Sequence, residues 1–543
     1  MNKIKHKLSS IINHRHLLPF VLFTFIFTVY FSSSVGLMNS MDTPQFFTTE
    51  ALIQNHNIDI SVFRYDPHYF VWPDVYNYKN QTLGLRGYLT SVLYLPLHII
   101  SNKIQFLFSD GNFPINVTNS PNFLYELSIT SLSTIFSVIG LIFIFFTGLR
   151  LTNNRFISSI VTLLLSFGTY TWKYSSTYSR HGITVALIGL SLYSICMIYK
   201  KKGNNWLWLY VYYVIWSISF GIDFILFFAL SIYLFLLIIN QSYHYFIYQK
   251  KSKYSYIFKG LIISLIIILA NIIINIKFYG TLMYGQFDKW NYLKNVIDVP
   301  LLRILSSTPI YPTILTVLFN AGKIPESAFS AFEKLPIKIS ELLSVKYAKQ
   351  YNFFGILTIS PFLLFGILLS IKQIIKNFRI ILFVIIVFSI GIIINTMVLY
   401  FWSGTQYDIR YFYPYSLLLS VPLYFAIQNT NNIKLKKRII YYIIFLVTSL
   451  FSLIMGWLGV ISMYLPSLTG ERRIWMDIYD FPTKLTQHSF NEYLNATFMN
   501  RENAWIAVAL SIIGYVIFRT VDFVIHNFHF KFFEGRRKVL KLV

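Results

Sequence analysis

The chain is predicted to fold as an all-α polytopic membrane protein with about twelve transmembrane helices. Its first extracytoplasmic loop is expected to be long and to contain interfacial or re-entrant helices. Three observations carry this. Over 543 residues the chain is 55% hydrophobic and only 12% charged, too apolar a balance for a soluble fold. Its apolar residues gather in runs of about 20, the length at which a helix crosses hydrocarbon. Once those runs are taken as spans, the loops between them separate by charge.

The runs lie near 17–37, 124–149, 156–173, 181–199, 206–221, 223–240, 258–276, 354–371, 380–400, 413–428, 439–464 and 504–519. The first follows Lys3, Lys5, Lys7 and Arg15 and has no convincing small-x-small cleavage site, so it reads as a retained signal-anchor helix. With the N-terminus placed inside, the inward segments hold 26 of the 46 basic residues but only Asp522 and Glu534 of the 21 acidic ones. Inward loops are thus almost purely basic, as the positive-inside rule requires. The net charge of +25 is a topology signal, and nucleic acid drops out as a partner. An integral multi-pass protein of the plasma membrane, with both termini cytoplasmic, is expected.

The polar mass falls on the outward face, in segments 38–123, 277–353 and 465–503. The division expected is a cytoplasmic N-terminus (1–16), a catalytic membrane core (17–415), C-terminal membrane helices (416–519) and a basic cytoplasmic tail (520–543). Within the first outward segment, residues 86–103 are apolar over about 14 positions and are interrupted by Pro96 and His98. That is short for a span and fits an interfacial or re-entrant helix. Counting it as a span would invert every later loop. The single cysteine, Cys196, lies in an apolar run, so no intrachain disulfide and no zinc motif can form. Sequons at Asn80, Asn116 and Asn495 fall outside, but in an Asn-rich chain they carry no weight.

Asp42 is the first charged residue on the outward face, just past the first span. It opens Met41-Asp42-Thr43-Pro44-Gln45, which reads as a helix start, with Pro44 in the first turn and Gln45 at capping-box spacing. Two roles are open to it: a cap for helix-terminal amides, or a base at the water–membrane boundary. Several cations stand at the outward ends of other spans. Lys173, Arg180 and His181 lie in one outward turn, Arg410 in another beside Tyr407 and Asp408, and Arg86 begins the interfacial segment. Singly each serves as an interfacial anchor, and Arg410 can pair with Asp408. Together they describe a pocket for a phosphate held at membrane depth.

Asp223 is the only acid deep within an apolar stretch, which makes it a functional candidate. Glu50, Asp59, Asp66 and Asp74 share the first outward segment and are candidates to bind an acceptor or to hold the loop. No D-x-D or E-x-D occurs there, so no metal site is signalled. His56, His68 and His98 lack paired spacing and read as surface or loop histidines.

In order and spacing these features resemble the GT-C superfamily of polytopic glycosyltransferases. The resemblance is strongest to the branch of protein O-mannosyltransferases and bacterial aminoarabinose transferases that use a polyprenyl-phosphate sugar. It rests on Asp42 after the first span, Phe46 and Phe47 behind it, and Arg86, Gly87 and Pro96 in the interfacial segment. It continues with the Tyr174 to Gly182 turn and the pattern Gly404, Arg410, Tyr411, Pro414, covering roughly the first 415 residues. The chain departs from it in having Arg86-Gly87 where Pro-Gly is frequent, and Thr43-Pro44 where an acid frequently follows. An oligosaccharyltransferase-like W-W-D-Y-G motif is missing.

The resemblance implies a metal-independent, inverting transfer of a hexosyl or pentosyl group from a polyprenyl-phosphate sugar to an acceptor hydroxyl on a protein, lipid or glycan. Asp42 would be the base, and Arg410, Arg180, Lys173 and Arg86 the phosphate ligands. His181, Asp74, Asp223, Tyr407 and Asp408 would be further substrate contacts. No cofactor is implied beyond the lipid-linked donor, and membrane lipids are the surroundings. The alternative is a flippase or transporter for a lipid-linked glycan or other amphiphile, which should show midplane charges and repeated halves. No internal repeat is visible.

Overall fold

In hydrocarbon a backbone amide finds no water, so an apolar run satisfies its own N–H and C=O groups by coiling into a helix. The computed structural model describes residues 17–33, 43–61, 75–84, 88–108, 123–176, 178–200, 206–248, 254–280, 318, 355–374, 377–401, 412–430 and 433–469. The first helices are α1 (Leu17–Ser32), α2 (Thr43–Gln54), α3 (Tyr88–Phe108), α4 (Phe123–Thr152), α5 (Arg155–Phe167) and α6 (Thr171–Ser175). There follow α7 (His181–Lys200), α8 (Trp206–Ile222), α9 (Phe224–Tyr248), α10 (Tyr254–Tyr279), α11 (Ile356–Ile359) and α12 (Pro361–Ile374). The last are α13 (Phe378–Phe401), α14 (Tyr413–Ser416), which runs through a 3-10 turn into α15 (Ser420–Thr430), and α16 (Leu435–Thr469). Each expected span before 470 meets a helix, while 504–519 lies outside the described residues.

Five of these helices contain stretches long and apolar enough to cross a membrane: Leu132–Thr152, His181–Tyr199, Phe258–Tyr279, Phe378–Asn395 and Leu435–Trp457. Other apolar helices, such as Arg155–Phe167, are shorter. Away from their basic ends, helices α10 and α16 present broad apolar outer faces, with Ile262, Ile266, Leu269 and Ile273 on one and Ile440, Ile443, Val447 and Ile454 on the other, all 42–64% exposed. Such faces are stable only against lipid. The protein is an all-α integral membrane protein.

At the centre, α4 and α7 touch backbone to backbone. A Cβ at Gly189 would fall 2.3 Å from the Gly140 carbonyl oxygen, and one at Gly140 2.4 Å from that of Val185. Without a hydrophobic drive between helices in lipid, such close van der Waals approach is what selects partners. Buried hydroxyls return to their own helix, as Thr147 to the Phe143 carbonyl and Ser166 to that of Thr162.

Three expected spans are divided, 354–371 at Ser360, 413–428 at a 3-10 turn, and 156–173. The run 156–173 ends at Gly168, whose N–H caps α5 at the Leu164 carbonyl, and Ser360 donates to the Gly168 carbonyl at 2.6 Å. Lys173 therefore belongs to the separate helix α6. Between α8 and α9 the chain reverses at one residue, Asp223. Tyr212 donates to the Leu230 carbonyl and Trp216 to Ser231 Oγ, which makes the two helices an antiparallel pair.

Helix α3 has two faces. Ser91, Tyr94 and His98 are buried against the bundle, while Val92, Ile99 and Ile100 are 38–50% exposed. It meets α10 at Asn271 and α8 at Gly221 from its first turn, α4 at Ser133 and the turn before α7 at Ser179 from Tyr94, and α2 through Ser91 and His98. One face buried and one apolar face exposed is the division expected of a helix at an interface. Before it, strands β1 (Val75–Tyr78) and β2 (Gln81–Gly84) form a hairpin whose turn residues Lys79 and Asn80 both have positive φ, the geometry of a type I′ turn.

Candidate functional site

The chain reversals carry three widely separated segments to the same end of the bundle: the turn from α6 to α7, the break at Asp223 and the start of α14. Aromatic rings join them. Tyr174 stacks on Tyr413 with centroids 5.0 Å apart and planes 23° inclined, and His181 stands edge-on to the same ring at 6.2 Å. Residues 239 positions apart thus share one buried stack, worth about 1 kcal/mol beyond its area.

Cations flank this stack. Lys173 is half-buried on α6, with Nζ 5.4 Å from the Tyr174 ring centroid and its stem beside Gly459 of α16. Arg180 is only 4% exposed, and its Nη1 donates to the Ile222 carbonyl at 3.4 Å. That carbonyl directly precedes Asp223. A buried guanidinium is costly unless anionic or polar groups compensate it, so its place beside a helix break is chemically informative.

Asp223 falls at a helix boundary, as the separate runs 206–221 and 223–240 led one to expect. It sits in the reversal between α8 and α9 because a polar side chain there can take up helix-terminal amides that the apolar run cannot. Its Oδ1 accepts from the N–H groups of Ile225 and Leu226, both at 3.1 Å, and its Oδ2 accepts from Thr184 Oγ1 at 3.2 Å. The carboxylate is a helix cap that also ties α9 to α7.

The turn before α7 is locked to the first outward segment. Ser179's carbonyl accepts from Tyr94 Oη and from Ser133 Oγ, both at 2.7 Å, and its N–H donates to Ser133 Oγ at 2.7 Å. Tyr178 packs against Tyr94, His98 and Phe46, with ring centroids 5.0–6.1 Å apart. Tyr88, in the first turn of α3, donates to Asn271 Oδ1, and burial raises its phenol above the ordinary tyrosine range, so it remains a donor at neutral pH.

Helix α2, which follows Asp42 directly in sequence, is buried from Pro44 to Ala51. It is held to α3 by a pair that the sequence did not suggest. His98 Nδ1 lies 3.0 Å from Glu50 Oε1, with the two residues 0% and 2% exposed. Gln54 donates to the other carboxylate oxygen at 3.2 Å. His98 is therefore a buried, bonded histidine and not a surface or loop one. The reason is its place on the Ser91, Tyr94, His98 face of α3, a spacing of three and four residues that periodicity makes legible. His56 is exposed, as expected.

Asp59 holds the loop. Its Oδ1 accepts from the N–H groups of Ser61 and Thr82, both at 3.0 Å, pinning residues 59–61 to β2. Of the remaining candidates, Asp42, Asp66, His68, Asp74, Arg86, Tyr407, Asp408 and Arg410 lie outside the described residues. Lys173, Arg180, His181 and Asp223 are the ones brought to a common end.

No protein-family model matches the chain. No curated relative matches it either. Among solved structures it aligns with ArnT from Cupriavidus metallidurans, crystallised in the apo state, over 91% of this chain and 76% of that one. The identity is 11% and the TM-score 0.39. At that distance the chemistry of the site has to be read from its own side chains. Those are a buried arginine, a lysine, a histidine and an aromatic stack at one end of an apolar bundle, flanked by the buried helix that follows Asp42.

Proposed function

We propose that this protein is a GT-C-type membrane glycosyltransferase that moves a sugar from a polyprenyl-phosphate donor to an acceptor hydroxyl on the extracytoplasmic face. The observation that carries the reading is the Tyr174–Tyr413–His181 cluster. It joins the basic turn of residues 173–181 to the segment that follows Arg410, and the same turn is bonded to the helices of the first outward segment. Two cations of one turn, Lys173 and Arg180, beside aromatic rings drawn from distant parts of the chain suit a phosphate whose lipid tail stays in hydrocarbon.

The transfer is a single displacement. Asp42 takes the proton of the acceptor hydroxyl as its oxygen bonds to the anomeric carbon. The bond from that carbon to the phosphate oxygen breaks with its electron pair, releasing polyprenyl phosphate with inversion. Arg180, Lys173, Arg410 and Arg86 stabilise the charge that develops on the leaving phosphate. With a leaving group that is already good, neither a general acid nor a metal is required, and a second carboxylate of the glycosidase kind has no role.

The test is an incubation of the purified protein in nanodiscs with a panel of polyprenyl-phosphate hexoses and pentoses, reading free polyprenyl phosphate. Wild type is expected to release it from at least one donor, and Asp42→Asn to lose that activity while still inserting. Full activity in Asp42→Asn would overturn the proposed base, and no release from any donor would overturn the transferase reading in favour of a transporter.

A further inference from the structure

Gln45 stands in the first turn of α2, three residues after Asp42, and is only 1% exposed. Its backbone is held firmly. The Gln45 carbonyl accepts from Ser91 Oγ of α3 at 3.1 Å and from Thr49 Oγ1 at 3.0 Å. Its side chain is the opposite case, because among the described residues neither Oε1 nor Nε2 has a hydrogen-bond partner. A buried primary amide with neither end bonded is destabilising, and an apolar side chain of like size would avoid the penalty. Resting on the transferase reading above, we propose that the Gln45 amide binds ring hydroxyls of the donor sugar.

The ligand class follows from the amide's own chemistry. It offers two N–H donors and one acceptor oxygen in a single plane. A phosphate only accepts, and would leave the amide oxygen facing an anion. A polyprenyl chain offers neither donor nor acceptor. A hydroxyl both donates and accepts, and two neighbouring hydroxyls on a sugar ring can occupy both ends of the amide at once. The site then discriminates by leaving its buried amide unsatisfied whenever a hydroxyl is missing.

The experiment compares Gln45→Leu and Gln45→Met with wild type, using whichever donor in the panel supports transfer and its singly deoxygenated ring analogues. Ligand-free, the variants are expected to unfold at the same temperature as wild type or higher, which a structural amide would not permit. With the full donor, kcat/KM should fall roughly 10- to 100-fold. For wild type one deoxy donor should show a similar fall, and Gln45→Leu should lose nothing further on that donor. The acceptor KM should not move. A lower unfolding temperature in both variants would overturn the proposal, because the amide would then have a partner within the protein. So would transfer unchanged from wild type on every donor, or a loss confined to the acceptor KM. Wild type that transfers from no donor overturns the transferase reading and takes this inference with it, whereas active wild type with unimpaired variants sinks this inference alone.

Discussion

The two ends of the bundle are built differently. At one end, α4 turns into α5 through two residues that satisfy themselves. Asn153 takes a positive φ, Asn154 caps the N–H of Ile157 at 3.1 Å, and Thr152 Oγ1 accepts from the N–H of Asn154. Every bond there spans a few residues. At the opposite end, the turn into α7 is tied to α3 and α4 through Ser179, to Ile222 through Arg180 and to α14 through Tyr174. A connection needed only to reverse the chain can be local; one that reaches across the fold holds side chains from distant segments in fixed relation, as a binding site requires.

The largest effect expected is at the long-range end. Glu50→Ala leaves His98 Nδ1 buried without its partner and should cost about 1.5–3 kcal/mol, seen as a lower unfolding temperature in detergent. Loss of that size would confirm that α2 depends on α3; an unchanged temperature would remove the pair from the account. Tyr413→Leu should reduce sugar transfer by roughly 100-fold through misplacement of the stacked segments, while Tyr413→Phe keeps most of it. Equal activity in both would mean that the stack positions nothing.

Ser133→Ala should cost about 1–3 kcal/mol, because its hydroxyl serves both the carbonyl and the N–H of Ser179. Combined with Tyr94→Phe, it should show a coupling of about 0.5–3 kcal/mol, since both act on one carbonyl. The smallest effect belongs to the local end. Asn154→Ala should cost about 1 kcal/mol by loss of the cap and leave transfer untouched. A fall in transfer from that variant would break the division between the ends.

Much of the fold was legible in the sequence. Apolar runs marked the helices, although residues 86–103, read as apolar over about 14 positions, belong to the 21-residue helix Tyr88–Phe108. The reversal at Asp223 was marked by the boundary between the runs 206–221 and 223–240, whereas its bonds to Thr184 and to the first amides of α9 leave no mark in the sequence. The Glu50–His98 pair was missed for a different reason. Neither residue has a distinctive neighbour in sequence, and only the parallel lie of α2 on α3 brings them within 3.0 Å. The burial of Gln45, which its capping-box spacing concealed, was likewise a matter of which face of α2 meets α3.

The sequence by itself determined where helices form and which loops are basic, because lipid forces each apolar run to satisfy its own backbone wherever it packs. Only the tertiary structure decided which helices touch and which polar side chains meet. Between helices in lipid that choice depends on shape and single hydrogen bonds: the bare backbone at Gly140 and Gly189, the carbonyl of Ser179, the ring of Tyr413. None of these leaves a periodic mark on the chain.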